Sequence, residues 1–181
     1  MSVACVCRSV HAIVFIALAP HYRIGLASSL LPMNITFLEY ANIEFPVWRE
    51  MWFDYVGLNA TNMSAGVHEH TFLRIRNAEG NLFGVAAFTD RPVGFAHYYF
   101  HPSTYSIADA CTLEDLYVSP QARGQGIGSA LVGVVAARAR KLGAPALNWK
   151  TRSSNEAAIS LYERLASRTD FLSFRLALCT A

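Results

Sequence analysis

Apolar positions along the chain recur with a period that switches between helix-like and strand-like several times after Met33. Residues 34–37, Asn-Ile-Thr-Phe, read as a first strand. Pro46 opens a stretch in which Trp48, Met51, Trp52 and Tyr55 form one stripe; proline in the first turn and i, i+3, i+4, i+7 spacing both predict a helix. Residues 59–66 are small and polar, a loop, and 67–75 predict a second, shorter helix, followed by a turn at 77–80. Apolar runs at 82–89 and 93–100, separated by Asp90-Arg91-Pro92, predict an antiparallel hairpin. A further strand over 112–118 ends at Ser119-Pro120.

Downstream of a glycine-rich turn, Ile127, Leu131, Val134, Val135 and Leu142 mark a helix over about 126–142. Arg138, Arg140 and Lys141 fall in its last turn, where cations suit the helix dipole, and Gly143 supplies the stop. Residues 146–151 predict a strand. Ser153-Ser154-Asn155-Glu156 has the form of a capping box, with Ser153 as N-cap and Glu156 reaching back. The helix it opens carries Ala158, Leu161, Tyr162 and Leu165, and the alternation of Leu172, Phe174, Leu176 and Leu178 predicts a final strand over 171–178. The expected fold is a single α/β (α+β) domain, a mixed and strongly twisted sheet flanked by helices.

Residues 1–32 do not share this order. Residues 12–19 are continuously apolar, with Arg8 before them and Pro20 after. A signal peptide has such a charged start and apolar middle, but 21–32 offer no clean small-x-small cleavage site. The preferred expectation is a dispensable N-terminal extension, with Met33 the start of the domain proper; a membrane anchor ranks last. No run reaches the roughly 18 apolar residues of a membrane span.

With 53% hydrophobic and 15% charged residues, the 181-residue chain is a globular domain and not a disordered segment. A formal net charge of +2, without a basic block, argues against a nucleic-acid partner. Four cysteines, Cys5, Cys7, Cys111 and Cys179, make neither a disulfide framework nor a metal-ligand pattern. Reduced thiols, no metal and a cytoplasmic location are expected.

The chemistry concentrates in Val118-Ser119-Pro120-Gln121-Ala122-Arg123-Gly124-Gln125-Gly126-Ile127-Gly128-Ser129, between a strand and a helix. Small residues let the backbone approach a ligand, and the free N–H groups of a helix start suit a pyrophosphate. The Walker motif fails, because Gly128-Ser129-Ala130 lacks its lysine, and the Gly-x-Gly-x-x-Gly dinucleotide fingerprint fails on spacing. Taken alone, the turn serves a ligand or tight helix packing equally well.

Arg123-x-x-Gly126-x-Gly128, directly after a Leu-Tyr-Val strand and a Ser-Pro turn, resembles the acetyl-CoA signature of the GCN5-related N-acetyltransferases. Asn155-x-x-Ala158-x-x-x-Tyr162 resembles the family's later motif, and the element order from about 82 to 178 is similar to the family's. The resemblance implies an acetyltransferase domain over 33–181 whose sheet splays open to admit acetyl-CoA. It implies that Leu116, Tyr117 and Val118 hold the pantetheine arm and that Gly124, Gln125, Gly126, Gly128 and Ser129 hold the pyrophosphate. Arg123 takes the motif's first position, Asn155 contacts the cofactor and Tyr162 lies near its sulfur. Residues 93–100 and 113–118 look like the spermidine/spermine and thialysine branches. Residues 148–151 and 169–171 look more like a branch related to a fungal histone and polyamine acetyltransferase. The implied acceptor is a small primary amine, polyamine-like or lysine-like. A lysine or N-terminus on a protein is the alternative acceptor, a non-catalytic acetyl-CoA-binding module the alternative of another class, and a homodimer or higher homo-oligomer the expected assembly.

Acetyl transfer to an amine needs the ammonium proton removed and the leaving thiolate protonated. An alkylammonium has a pKa of about 10.4, so a base must help. Glu114 is the candidate base, directly or through water, and Tyr162 the candidate acid. Counting by twos along 112–118 puts Thr112, Glu114, Leu116 and Val118 on one strand face and Leu113, Asp115 and Tyr117 on the other, so the two adjacent acids cannot share a task. The resemblance leaves Asp115 structural. Some relatives carry a glutamate where this chain has Lys150, which puts more weight on Glu114. Trp48, Trp52 and Tyr55 read as core ahead of an amine pocket, and His97 and His101 as satisfied structural residues.

Overall fold

The computed structural model describes residues 35–58 and 63–178. The expected extension 1–32, Asn34, Cys5, Cys7 and Cys179 lie outside them. Strand β1 (Thr36–Glu39) leads through a 3₁₀ turn into α1 (Phe45–Leu58), and α2 (Ala65–Arg76) follows. Strands β2 (Leu82–Phe88), β3 (Pro92–His101) and β4 (Ala110–Val118), helix α3 (Ile127–Lys141), β5 (Leu147–Trp149) and α4 (Glu156–Leu165) complete the order.

Among the described residues five strands form one sheet in sequence order. The pairs β1–β2, β2–β3 and β3–β4 are antiparallel and β4–β5 is parallel, so the sheet is mixed as its pattern predicts. Each face is covered by helices because β3 is apolar on both sides. Ala96, Tyr98 and Phe100 join Leu131 and Val135 of α3 in one core; Phe95 joins Trp48 and Trp52 of α1 and Phe72 of α2 in the other. Trp48 is fully buried and stacks on Trp52 at a centroid distance of 5.0 Å, so these two tryptophans are core.

Strand β5 accompanies β4 only from Cys111 to Leu113, through Cys111↔Leu147, Thr112↔Asn148 and Leu113↔Trp149. Beyond Leu113 the two strands part, and among the described residues no strand lies along the β5-facing edge of Leu116–Val118.

Three local expectations are corrected. Helix α4 is capped by Asn155 instead of Ser153: residues 153–154 turn, and Asn155 Oδ1 accepts from Ala158 N at 3.3 Å, satisfying a first-turn amide. Residues 171–178 form no strand. Phe171, Leu172, Phe174, Leu176 and Leu178 are 79–89% exposed; alternation makes a segment fit to be a strand, but a neighbour's hydrogen bonds make it one. The simple two-residue alternation of β4 is also broken. His97 pairs with Asp115 and Tyr98 with Leu113, so Glu114 is an extra residue, a β-bulge. Leu113, Leu116 and Val118 therefore all pack toward α3, while Tyr117 joins the α1 core.

Candidate active site

The bulge decides what faces the gap between β4 and β5. A cleft of about 170 Å³ opens there, and Glu114, Leu116, Asn155 and Tyr162 of the sequence-predicted set line it. Tyr55, Trp149, Lys150 and Arg152 line it too, and Tyr55 reaches it while also packing against the α1 core. Glu114 is exposed, so its carboxylate carries no burial cost. The neighbouring Asp115 is the carboxylate drawn out of water, where a charge needs partners.

Asp115 is largely buried on the α1 side. Its Oδ2 lies 2.9 Å from His97 Nδ1, and its Oδ1 accepts from the Tyr55 hydroxyl at 2.6 Å. Burial pushes the Asp115 carboxyl up, but the hydrogen bonds from His97 and Tyr55 bring it below the ordinary value. His97 is 1% exposed. Its Nε2 receives the Trp48 indole N–H at 3.3 Å and lies 2.7 Å from the Tyr40 hydroxyl. An indole N–H can only donate, so Nε2 accepts and Nδ1 carries the proton donated to Asp115. The expectation that His97 is a satisfied structural residue is met. Its partner was readable only as a question: a histidine inside an apolar strand needs one.

Tyr162 packs edge-on against Trp149 with centroids 5.4 Å apart, and burial raises its pKa. The phenol therefore keeps its proton well into the alkaline range. Burial and the neighbouring Asp115 carboxylate likewise push Tyr55 far up.

At the other end of the open β4 edge, Pro120–Ala122 form a 3₁₀ turn, and Gly124 (φ 76°) and Gly126 (φ 79°) adopt the left-handed backbone that glycine tolerates. Helix α3 begins at Ile127 with Gly126 as N-cap, so its first amides face outward. Open space surrounds the Cβ position of Gly124, whereas a Cβ on Gly128 would stand 3.2 Å from Leu161 of α4. The ligand and packing readings of this turn thus divide between its glycines. Arg123 Nε donates to Val118 O at 3.1 Å and Gln125 Nε2 to Gln121 O at 3.4 Å, so both side chains brace the loop. Ser129 sits in the first turn of α3. Tyr117 turns its ring to the α1 core and donates to Asp54 at 3.1 Å, leaving only its backbone at the gap. An open strand edge, a glycine turn and a helix start in succession fit a long ligand with a pyrophosphate at one end. Among the described residues no group of three or more His, Cys, Asp or Glu side chains could hold a metal ion.

Residues 37–166 match the acetyltransferase (GNAT) family. The chain belongs to that family. It is an N-acetyltransferase, and GNAT enzymes use acetyl-CoA. This GNAT chain is 36% identical over 126 residues to D-amino-acid N-acetyltransferase HPA3 of Saccharomyces cerevisiae, covering 68% of this chain and 78% of the yeast protein. It is 40% identical over 76 residues to thialysine N-epsilon-acetyltransferase of Sus scrofa, a match spanning 42% of this chain and 44% of that protein. Among solved structures, AAC(6')-Iy in complex with a CoA-based bisubstrate analogue superposes with a TM-score of 0.70 at 17% identity, covering 81% of this chain and 99% of that one. The ribosomal-protein-alanine N-acetyltransferase of Brucella melitensis biovar Abortus 2308 gives 0.67 at 20% identity, covering 80% and 98%. Both likenesses are of fold.

Proposed function

We propose that this GNAT chain transfers the acetyl group of acetyl-CoA to a small primary amine, polyamine-like or lysine-like. The observation that carries this reading is the meeting of Glu114 and Tyr162, from β4 and α4, on one cleft at the gap between β4 and β5. Acetyl-CoA, when bound, supplies an activated thioester. The open backbone of Leu116, Tyr117 and Val118 would hold its pantetheine arm, Gly124, Gln125, Gly126, Gly128 and Ser129 its pyrophosphate, with Arg123 bracing the turn and Asn155 lining the entry. Glu114, partly solvated at the bulge, takes the ammonium proton directly or through water. Tyr162 holds a proton for the leaving sulfur.

Lys150 and Arg152 on the cleft wall favour an acceptor that carries a carboxylate beside its amine, and the names of the two curated relatives support an amino acid over a polyamine. A thiol-release screen with acetyl-CoA over thialysine, lysine, spermidine and a lysine peptide tests the reading. Turnover of the free amino acids supports it, and turnover of the peptide alone replaces it with a protein acetyltransferase.

The domain is proposed to begin at Met33, so a chain shortened to 33–181 should keep cooperative unfolding and activity. The exposed alternating segment 171–178 supports self-association into a homodimer or larger homo-oligomer. A cytoplasmic location belongs to the same reading. Among the described residues no helix is long and apolar enough to cross a membrane.

A further inference from the structure

We infer that His97 and Asp115 are a positioning pair that fixes the bulge in β4 and so decides which of two adjacent carboxylates faces the cleft. Strand β4 offers Glu114 and Asp115 in succession and has one residue too many for β3. The extra residue could be taken up at either acid. Because strand faces alternate, taking it up one position later would send Glu114 toward α1 and Asp115 into the cleft.

The α1 side accepts only one of these arrangements. His97 is fixed there from behind by Tyr40 and Trp48 and from the side by Phe95, whose ring stacks on it at 4.5 Å. Trp52 lies 5.6 Å from its centroid. In this setting Nδ1 presents its proton at one point, and the short Asp115 side chain, directly opposite across the strand pair, meets it at 2.9 Å. The other carboxylate oxygen is met by Tyr55 of α1 at 2.6 Å, which ties the helix to the same residue. A glutamate there is one methylene longer and would have to fold back within a filled aromatic core. Glu114 consequently stays at the cleft with Tyr162. The pair does not touch the reacting atoms; it acts through Glu114, so the inference rests on the proposed role of that residue.

The test is a double-mutant cycle with the full chain, acetyl-CoA and the fastest acceptor of the thialysine, lysine and spermidine panel. Asp115→Asn, nearly isosteric, should lower kcat about tenfold or more, since small misplacements of a catalytic group are costly, while acetyl-CoA affinity by calorimetry stays within about twofold. His97→Asn, which keeps a donor near the Nδ1 position, should retain most of kcat where His97→Leu does not. If His97→Leu fails to fold, the Asp115→Asn arm still decides. In a Glu114→Gln background, Asp115→Asn should cost less than about twofold more, because residues that act through one group are not additive. Full additivity, or wild-type kcat in Asp115→Asn, overturns the positioning role and leaves the proposed function standing. Wild-type kcat in Glu114→Gln, or no turnover of any acceptor, overturns both.

Discussion

Asp115 lies opposite His97 across the β3–β4 pair, and their side chains meet at 2.9 Å inside an aromatic shell. The carboxyl's pKa is lowered on folding despite burial, so the ionised form is preferred by the folded state. A depressed carboxyl contributes stability that is present above its unfolded pKa of about 3.9 and is lost as pH falls through the folded value. Asp115→Asn should therefore cost about 1–3 kcal/mol at neutral pH. Its deficit in urea midpoint should narrow below about pH 4. A deficit that stays constant from pH 7 to pH 3 would show that the charge contributes nothing.

Glu114→Gln preserves shape and removes the base. At low pH nearly all the amine is protonated and the base is most needed; as pH rises toward the amine pKa of about 10.4, free amine becomes abundant. The kcat/KM deficit should thus be largest at the acid end of the profile and shrink toward pH 10. A deficit independent of pH would speak for a role in binding instead.

Tyr162→Phe removes only the proton donor. We expect kcat to fall roughly 10²-fold with acetyl-CoA affinity little changed, and raising pH should not restore it. Since burial raises the pKa of this phenol, the wild-type profile should show no loss from its ionisation below its ordinary value of about 10.

Much of this architecture is legible in the chain. The apolar stripe after Pro46, the hairpin about Asp90-Arg91-Pro92 and the glycine turn before α3 all fall where local chemistry puts them. The bulge at Glu114 was not legible, because an extra residue exists only relative to the partner strand. The same limit applies to residues 171–178, whose alternation is genuine but finds no ladder among the described residues. Asn155 displaced Ser153 as cap because both can accept an amide hydrogen bond and the turn at 153–154 selects between them. Glu114, Tyr162 and Asn155 line one cleft with Tyr55, whose place there is hidden in the sequence by its position on a core stripe.

Gly126 adopts a left-handed backbone at the start of α3. Gly126→Glu adds strain there and sets a carboxylate where the proposed pyrophosphate approaches. Acetyl-CoA binding should be abolished in a chain that still unfolds cooperatively. Normal affinity by calorimetric titration would remove the pyrophosphate from this turn.

Self-association should depend on the exposed apolar positions near the C-terminus. Light scattering should report an oligomer for the unaltered chain and a smaller species for Phe174→Glu, since Phe174 is 89% exposed in the single chain. A monomer in both cases would mean that 171–178 serve some other end.

Acetyl transfer to a small amine is tested most directly by product stoichiometry. The full chain is incubated with acetyl-CoA and thialysine or lysine, free thiol is titrated, and the N-acetylated amine is quantified by mass spectrometry. Equal amounts of thiol and acetylated amine are expected, both lost in Tyr162→Phe on the same time scale. Thiol without acetylated amine, or tight acetyl-CoA binding with neither product, would contradict it.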